Sequence, residues 1–206
     1  LFSQTSANNY NINLENFRAE VYQPGKTLQL VKFSSGFYDG ILRGRGQMEM
    51  RRFIPVISAV IRVKDVSAEK LEGILIHFSK LYGKLSSQMF FVNYPQLVFR
   101  GTMRLHDGSL NNFEFLKWLA NLFDLPSLKK IQFNTASADF TADKEGVGIY
   151  NMGLNSENVK IEGYFKLREN DRVSSKIFLS LRRGLLRESP RFTPLLRILD
   201  TKQELI

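Results

Sequence analysis

The sequence predicts an α+β fold that is mainly β: an antiparallel curved sheet or open β-groove with two short covering helices. Three observations carry this expectation. Apolar residues alternate with polar ones in short runs, and the 17 Phe and 7 Tyr sit in many of them. Turn-forming clusters such as Asp143-Lys144-Glu145-Gly146 separate the runs. Only two internal stretches change to the three-and-four spacing of an amphipathic helix. With 43% apolar and 24% charged residues, the 206-residue chain has an ordinary globular composition, which argues against a wholly disordered chain.

The first clear run opens at Leu28 and Leu30, with Val31 or Phe33 next. Residues 1–27 are read as an N-terminal extension or linker. SSGFYDGILRGRGQMEM (34–50) follows, where Gly36, Gly40, Gly44 and Gly46 mark tight turns or close backbone approach. IPVISAVIRVKDV (54–66) is β-branched and suits a buried strand. Ser67 can then cap a helix through Leu71, Ile74, Leu75, Phe78 and Leu81, ended by Gly83. Strands resume at Leu85, Phe91 and residues 96–105. His106-Asp107-Gly108-Ser109 reads as a turn, because Asp-Gly favours positive φ.

Asn111 or Asn112 is expected to cap a second helix with the stripe Phe115, Leu116, Leu119, Leu122 and Phe123. Asp124-Leu125-Pro126 stops it. Trp118 widens that stripe or touches a groove. Ile131 and Phe133 then alternate with a parity opposite to that of Ala136, Ala138, Phe140 and Ala142, which predicts a bulge or break near Asn134. A second parity change separates Val147 and Ile149 from Met152 and Leu154. Turns are expected at 143–146, 155–158 and 168–171. Val159, Ile161, Gly163, Phe165 and Leu167 keep one parity, as do Val173, Ser175, Ile177, Leu179 and Leu181. Together these read as a meander with one apolar face. The tail around Pro190 and Pro194 reads as a short amphipathic helix or docking arm.

Catalytic chemistry leaves little trace. The chain has no Cys, which excludes disulfides, thiol catalysis and Cys-based metal sites. It carries none of the G-x-S-x-G, H-E-x-x-H, P-loop or G-x-G-x-x-G patterns. His77 and His106 lie far apart; His77 reads as an ordinary helix residue and His106 as a solvated turn residue. No acidic spacing points to a metal. The expectation is a non-enzyme with no cofactor and no metal.

The formal net charge is +9. It favours an anionic partner or simply a solvated basic face. Nucleic acid is not expected as a partner, because no recognition pattern with aromatics at fixed spacing accompanies the charge. A phospholipid surface fits the Arg-rich stretch beyond residue 172 beside its apolar neighbours. No run reaches the length of a membrane-spanning helix. The chain opens on Leu1 without signal-peptide features and is read as a piece of a longer protein.

The order of these features resembles the C-terminal region of the AsmA-like family of bacterial envelope proteins, relatives of TamB-type and YhdP-type proteins. The resemblance rests on FYDGILRGRGQMEM (37–50) with VSAEKLEGIL (66–75), on LVFRGTMRLHDGSLNNFEFLKWLANLF (97–123), and on IQFNTASADFTADKEGVGIYNMGLNSENVKIEGYFKL (131–167). It implies a β-rich groove domain over 28–181, preceded by the extension at 1–27 and followed by a basic amphipathic tail at 182–206. It also implies a periplasmic module of an inner-membrane-anchored protein, with the anchor, other envelope proteins and phospholipid as partners. The implied work is phospholipid transport and outer-membrane assembly.

A sheet with one continuous apolar face must cover it with helices, with another sheet or with acyl chains. The candidate lining is Phe133, Phe140, Ile149, Val159, Ile161, Phe165, Ile177 and Leu179. The candidate head-group contacts are Arg182, Arg183, Arg187 and Arg191. The alternative is that the same apolar residues pack a filled core beneath the helices, in a structural or interaction domain without lipid.

Overall fold

Alternating sequence makes strands, and turn residues fold each strand back on the one before it. The computed structural model describes residues 14–50, 54–71, 81–111, 113–168 and 172–203. Among them, β1 (Glu15–Tyr22), β2 (Thr27–Phe37), β3 (Gly40–Met50), β4 (Pro55–Ser67) and β5 (Leu81–Val92) form the first half of one sheet. β6 (Val98–Asn111), β7 (Lys130–Asp143), β8 (Gly146–Asn155), β9 (Val159–Arg168) and β10 (Val173–Leu181) complete it. The strands pair antiparallel in chain order, so the sheet is an open, curved meander with β1 and β10 at its edges. The mainly β expectation holds.

Local chemistry sets the turns. Tyr38 and Asp39 join β2 to β3 with φ of 45° and 65°, the left-handed pair that matches strand twist in a two-residue hairpin. Lys70 Nζ grips Asp39 Oδ1 at 2.7 Å, and this hydrogen bond holds the Asp39 carboxyl below its usual pKa. The turns expected at 143–146 and 155–158 lie between β7 and β8 and between β8 and β9. Of the turn expected at 168–171, residues 169–171 lie outside the described residues.

One expected turn is a bulge instead. His106–Ser109 runs inside β6, and the β5–β6 register slips between Tyr82 and Lys84. Asp107 does take a left-handed φ of 48°, as Asp-Gly suggested, but it spends it bending a strand. Asp65 and Asn151 do the same beside the register slips of β4–β5 and β8–β9. The Asn151 slip is the second parity change expected from the sequence. The first also occurs: burial switches parity across Asn134 and Thr135, which are both exposed. The β6–β7 register runs unbroken there, so both strands change face together opposite Asp107.

Residues 15–22, expected in the extension, pair with β2 as β1. All eight positions of β1 are exposed, which is why its alternation carries no strong apolar signal. Where a helix is expected from Ser67 through Leu81 to Gly83, Ala68–Leu71 forms a 3-10 turn and Leu81 and Gly83 belong to β5, while residues 72–80 lie outside the described residues.

α1 (Glu114–Phe123) is the second expected helix, but neither Asn caps it. Asn111 belongs to β6, Phe113 takes the cap position without a side-chain bond, and Asn112 lies outside the described residues. Asp124, at φ 54°, closes the helix, and Pro126 starts a 3-10 turn (Pro126–Lys129). Leu116, Leu119 and Ala120 of α1, with Leu125 and Leu128 beyond it, pack against Ile131, Val159 and Leu185 as the largest buried cluster.

The tail docks on this cap through α2 (Arg183–Leu186), a 3-10 turn (Pro190–Phe192) and α3 (Thr193–Gln203). Ser127 Oγ donates to Glu188 Oε1 at 2.7 Å, Arg191 donates to the Leu122 carbonyl, and the Phe123 and Phe192 rings lie 5.7 Å apart. Leu128 has no exposed surface. Leu128→Ala is expected to cost about 2–5 kcal/mol in urea unfolding, because the cavity lies between three elements that cannot collapse together.

Candidate functional site

Residues directly opposite on paired strands share one face of a sheet. Followed strand by strand, the register draws a line of side chains across all ten strands: Ala19, Phe33, Gly44, Ile61, Met89, Gly101, Phe140, Ile149, Phe165 and Ser175. A second line, two residues along, reads Val21, Leu30, Gly46, Ala59, Phe91, Phe99, Ala142, Val147, Leu167 and Val173. Ser175 is the single polar member of the two lines.

The lines form a strip without ionisable groups. None of its members is among the buried residues, and only Met89 touches a buried cluster among the described residues. Gly101 faces Phe140: a Cβ there would stand 2.3 Å from the Gln88 carbonyl oxygen and 2.8 Å from Phe140 Cζ. The missing side chain lets the ring lie over the neighbouring backbone. Gly44 does the same for Phe33, with a Cβ 2.4 Å from Phe33 Cε1. Phe99 and Phe140 pack tilted with centroids 5.5 Å apart.

The expected lining divides between this strip and the capped end. Phe140, Ile149 and Phe165 stand side by side in the first line, half-buried. Phe133 and Val159 do not line it. They are 3% and 5% exposed, Phe133 against Ala68 and Leu105, and Val159 in the cluster with α1. Ile161 and Leu179 pack against that same cluster. Ile177 is exposed opposite Gly163. The α-helical cap takes Val159, Ile161 and Leu179, because the turn after Asp124 brings α1 against them, whereas Phe133 is closed off by Ala68 of the 3-10 turn and by Leu105.

Arg182, Arg183, Arg187 and Arg191 are exposed on the tail around α2. They follow Leu181, six residues along β10 from Ser175, so they stand roughly 20 Å along the strand from the nearer line of the strip at about 3.3 Å per residue. His77 lies outside the described residues, and His106 is half-buried in β6 opposite Lys84. Trp118 is exposed on α1. Among the described residues no group of three or more His, Cys, Asp or Glu is placed to hold a metal ion, and no helix is long and apolar enough to cross a membrane.

The strip's N-terminal half, with Leu30, Phe33, Ile61, Met89, Phe91 and Phe99, was not among the expected lining. Its signal is present as alternation at 28 and 30, 59 and 61, 89 and 91, and 99 and 101. Pairing, which is not local, is what joins these to Phe140 and Phe165.

Neither the family models, nor the curated proteins, nor the solved structures give a match to this chain.

The division of the face is testable. Phe133→Asp is expected to unfold the domain, since it places an unpaired charge in a closed core. Phe165→Asp is expected to keep a cooperative melt and lose no more than about 1.5 kcal/mol.

Proposed function

We propose that the domain is a non-catalytic, lipid-handling module that lays phospholipid acyl chains along the apolar strip. The observation that supports this most is the strip's continuity: two apolar lines cross every strand of the sheet and end at its two open edges. At about 4.8 Å per strand it runs roughly 43 Å. Leaving that area in water is unfavourable by about 25 cal/mol per Å² of apolar surface. Acyl chains remove it without any bond being made or broken, while head groups stay in solvent. A strip that reaches both edges also lets a chain slide through the module, so movement is passive and other components give it direction.

With the AsmA-like resemblance, this reading places the module in the periplasm of a bacterial envelope. It is then part of an inner-membrane-anchored protein that conducts phospholipid between the inner and outer membranes. The anchor and other envelope proteins are its partners.

A second reading has its own support. The cluster around Leu116, Leu125 and Leu128 fills one end of the apolar face. A structural domain without lipid is what remains if the strip is covered by protein instead.

Mass spectrometry of lipids extracted from the purified domain separates the two. Stoichiometric phospholipid, above that of a matched soluble protein, is expected, with little loss between low and high salt. Phe165→Asp, still folded, is expected to carry at least about fivefold less. A folded, lipid-free wild-type domain contradicts the lipid reading.

A further inference from the structure

The face opposite the strip breaks a rule of sheet construction. Its lines read Arg18, Ser34, Arg43, Arg62, Gln88 and Thr102 in one row, and Arg45, Val60, Phe90 and Arg100 in the next. Arg43 and Arg62 are directly opposite on neighbouring strands, an arrangement that like charges destabilise. Arg62 Nε donates to Gln88 Oε1 at 3.0 Å, but among the described residues no carboxylate pairs with either guanidinium group.

Arg43 and Arg62 line a cavity of about 1020 Å³ with Arg18, Lys32, Arg45 and Lys64. Its one carboxylate, Glu20, is held by Lys32 at 2.9 Å. That hydrogen bond raises the Lys32 pKa, so the ammonium keeps its proton.

We propose that this cavity binds an organic anion carrying two or more phosphate groups. Guanidinium forks match phosphate oxygens in pairs, and a bound anion relieves the Arg43–Arg62 repulsion that no carboxylate among the described residues offsets. One phosphate is too small for the site. From Arg18 to Arg62 the cations span three strand spacings, roughly 14 Å at about 4.8 Å each. The volume suits an organic molecule rather than a bare ion. Val31, Ile41 and Val60 give its carbon frame apolar contact between the charges. The cations stand on the face away from the strip, Ala19, Phe33 and Gly44 of the strip also border the cavity, and anion binding does not require lipid on the strip.

Calorimetric titration of the whole chain at low ionic strength tests this. The probes are fructose 1,6-bisphosphate, inorganic phosphate, and phosphatidylcholine vesicles doped with cardiolipin or with phosphatidylglycerol. A paired-phosphate probe is expected to bind one to one, at least about tenfold more tightly than inorganic phosphate. Binding of the soluble bisphosphate identifies a free metabolite-like ligand. Binding of cardiolipin vesicles alone identifies a lipid head group.

The double variant Arg43→Gln/Arg62→Gln is expected to lose at least about tenfold in affinity while its melting temperature holds or rises, since the repulsion is gone. Its strip-bound lipid is expected to be unchanged. Arg45→Gln, opposite Val60, repeats the test should the double variant not fold. The proposal is overturned if neither paired-phosphate probe binds. It is equally overturned if the folded variants bind as well as wild type, or if phosphatidylglycerol vesicles bind as well as cardiolipin vesicles.

Discussion

Everything in this domain depends on the register of its ten antiparallel strands. Side chains alternate with a period of two, so a slip of one residue anywhere would send a strand's apolar set to the opposite face. Three of the slips, at Asp65, Asp107 and Asn151, sit on Asp or Asn residues in the left-handed region, while others fall between Glu20 and Val21, Leu30 and Phe33, and Ser137 and Asp139. Each absorbs its extra residue locally and returns the strand to the common face. That correction is what turns short alternating runs, spread along the chain, into two lines across the sheet that are apolar or glycine except at Ser175.

The apolar face is then shared between two uses. Toward one end it closes under α1, the turn at Pro126–Lys129 and the docked tail, and this is where folding stability concentrates. Toward the other end, among the described residues, neighbouring side chains of the sheet shelter it. Glycines at 44 and 101 let Phe33 and Phe140 lie across the backbone, so the exposed portion is a low aromatic surface. A domain stabilised at one end can leave the other end open to a ligand, because the two regions do not compete for the same residues.

Much of this was legible in the chain. The strands after residue 28, the hairpin at Tyr38-Asp39, both parity changes and the stop at Asp124-Leu125-Pro126 follow from local turn chemistry and period. Asp-Gly at 107–108 shows the limit of such signals. It fixed the sign of φ, but a hairpin turn and a bulge share that sign, and only the pairing of β6 with both neighbours separates them. The same limit explains the lining. Phe133 and Phe140 look alike in sequence, yet one is closed in against Ala68 and Leu105 and the other is not, because which segment packs on a strand is a tertiary matter. Arg18, Arg43 and Arg62 are far apart in the chain, and no local pattern announces that three strands bring them into one row.

The most direct test of an acyl-binding strip is site-specific photocrosslinking in bacterial membranes, with benzoylphenylalanine placed at Phe140, at Phe133 or at Arg100. Phe140 faces the strip, Phe133 lies in the closed core, and Arg100 stacks over Phe90 on the opposite face, 5.0 Å from the ring centroid. The account predicts phospholipid adducts at position 140 and background at the other two. Equal labelling at 140 and 100, or protein adducts alone at 140, would contradict it.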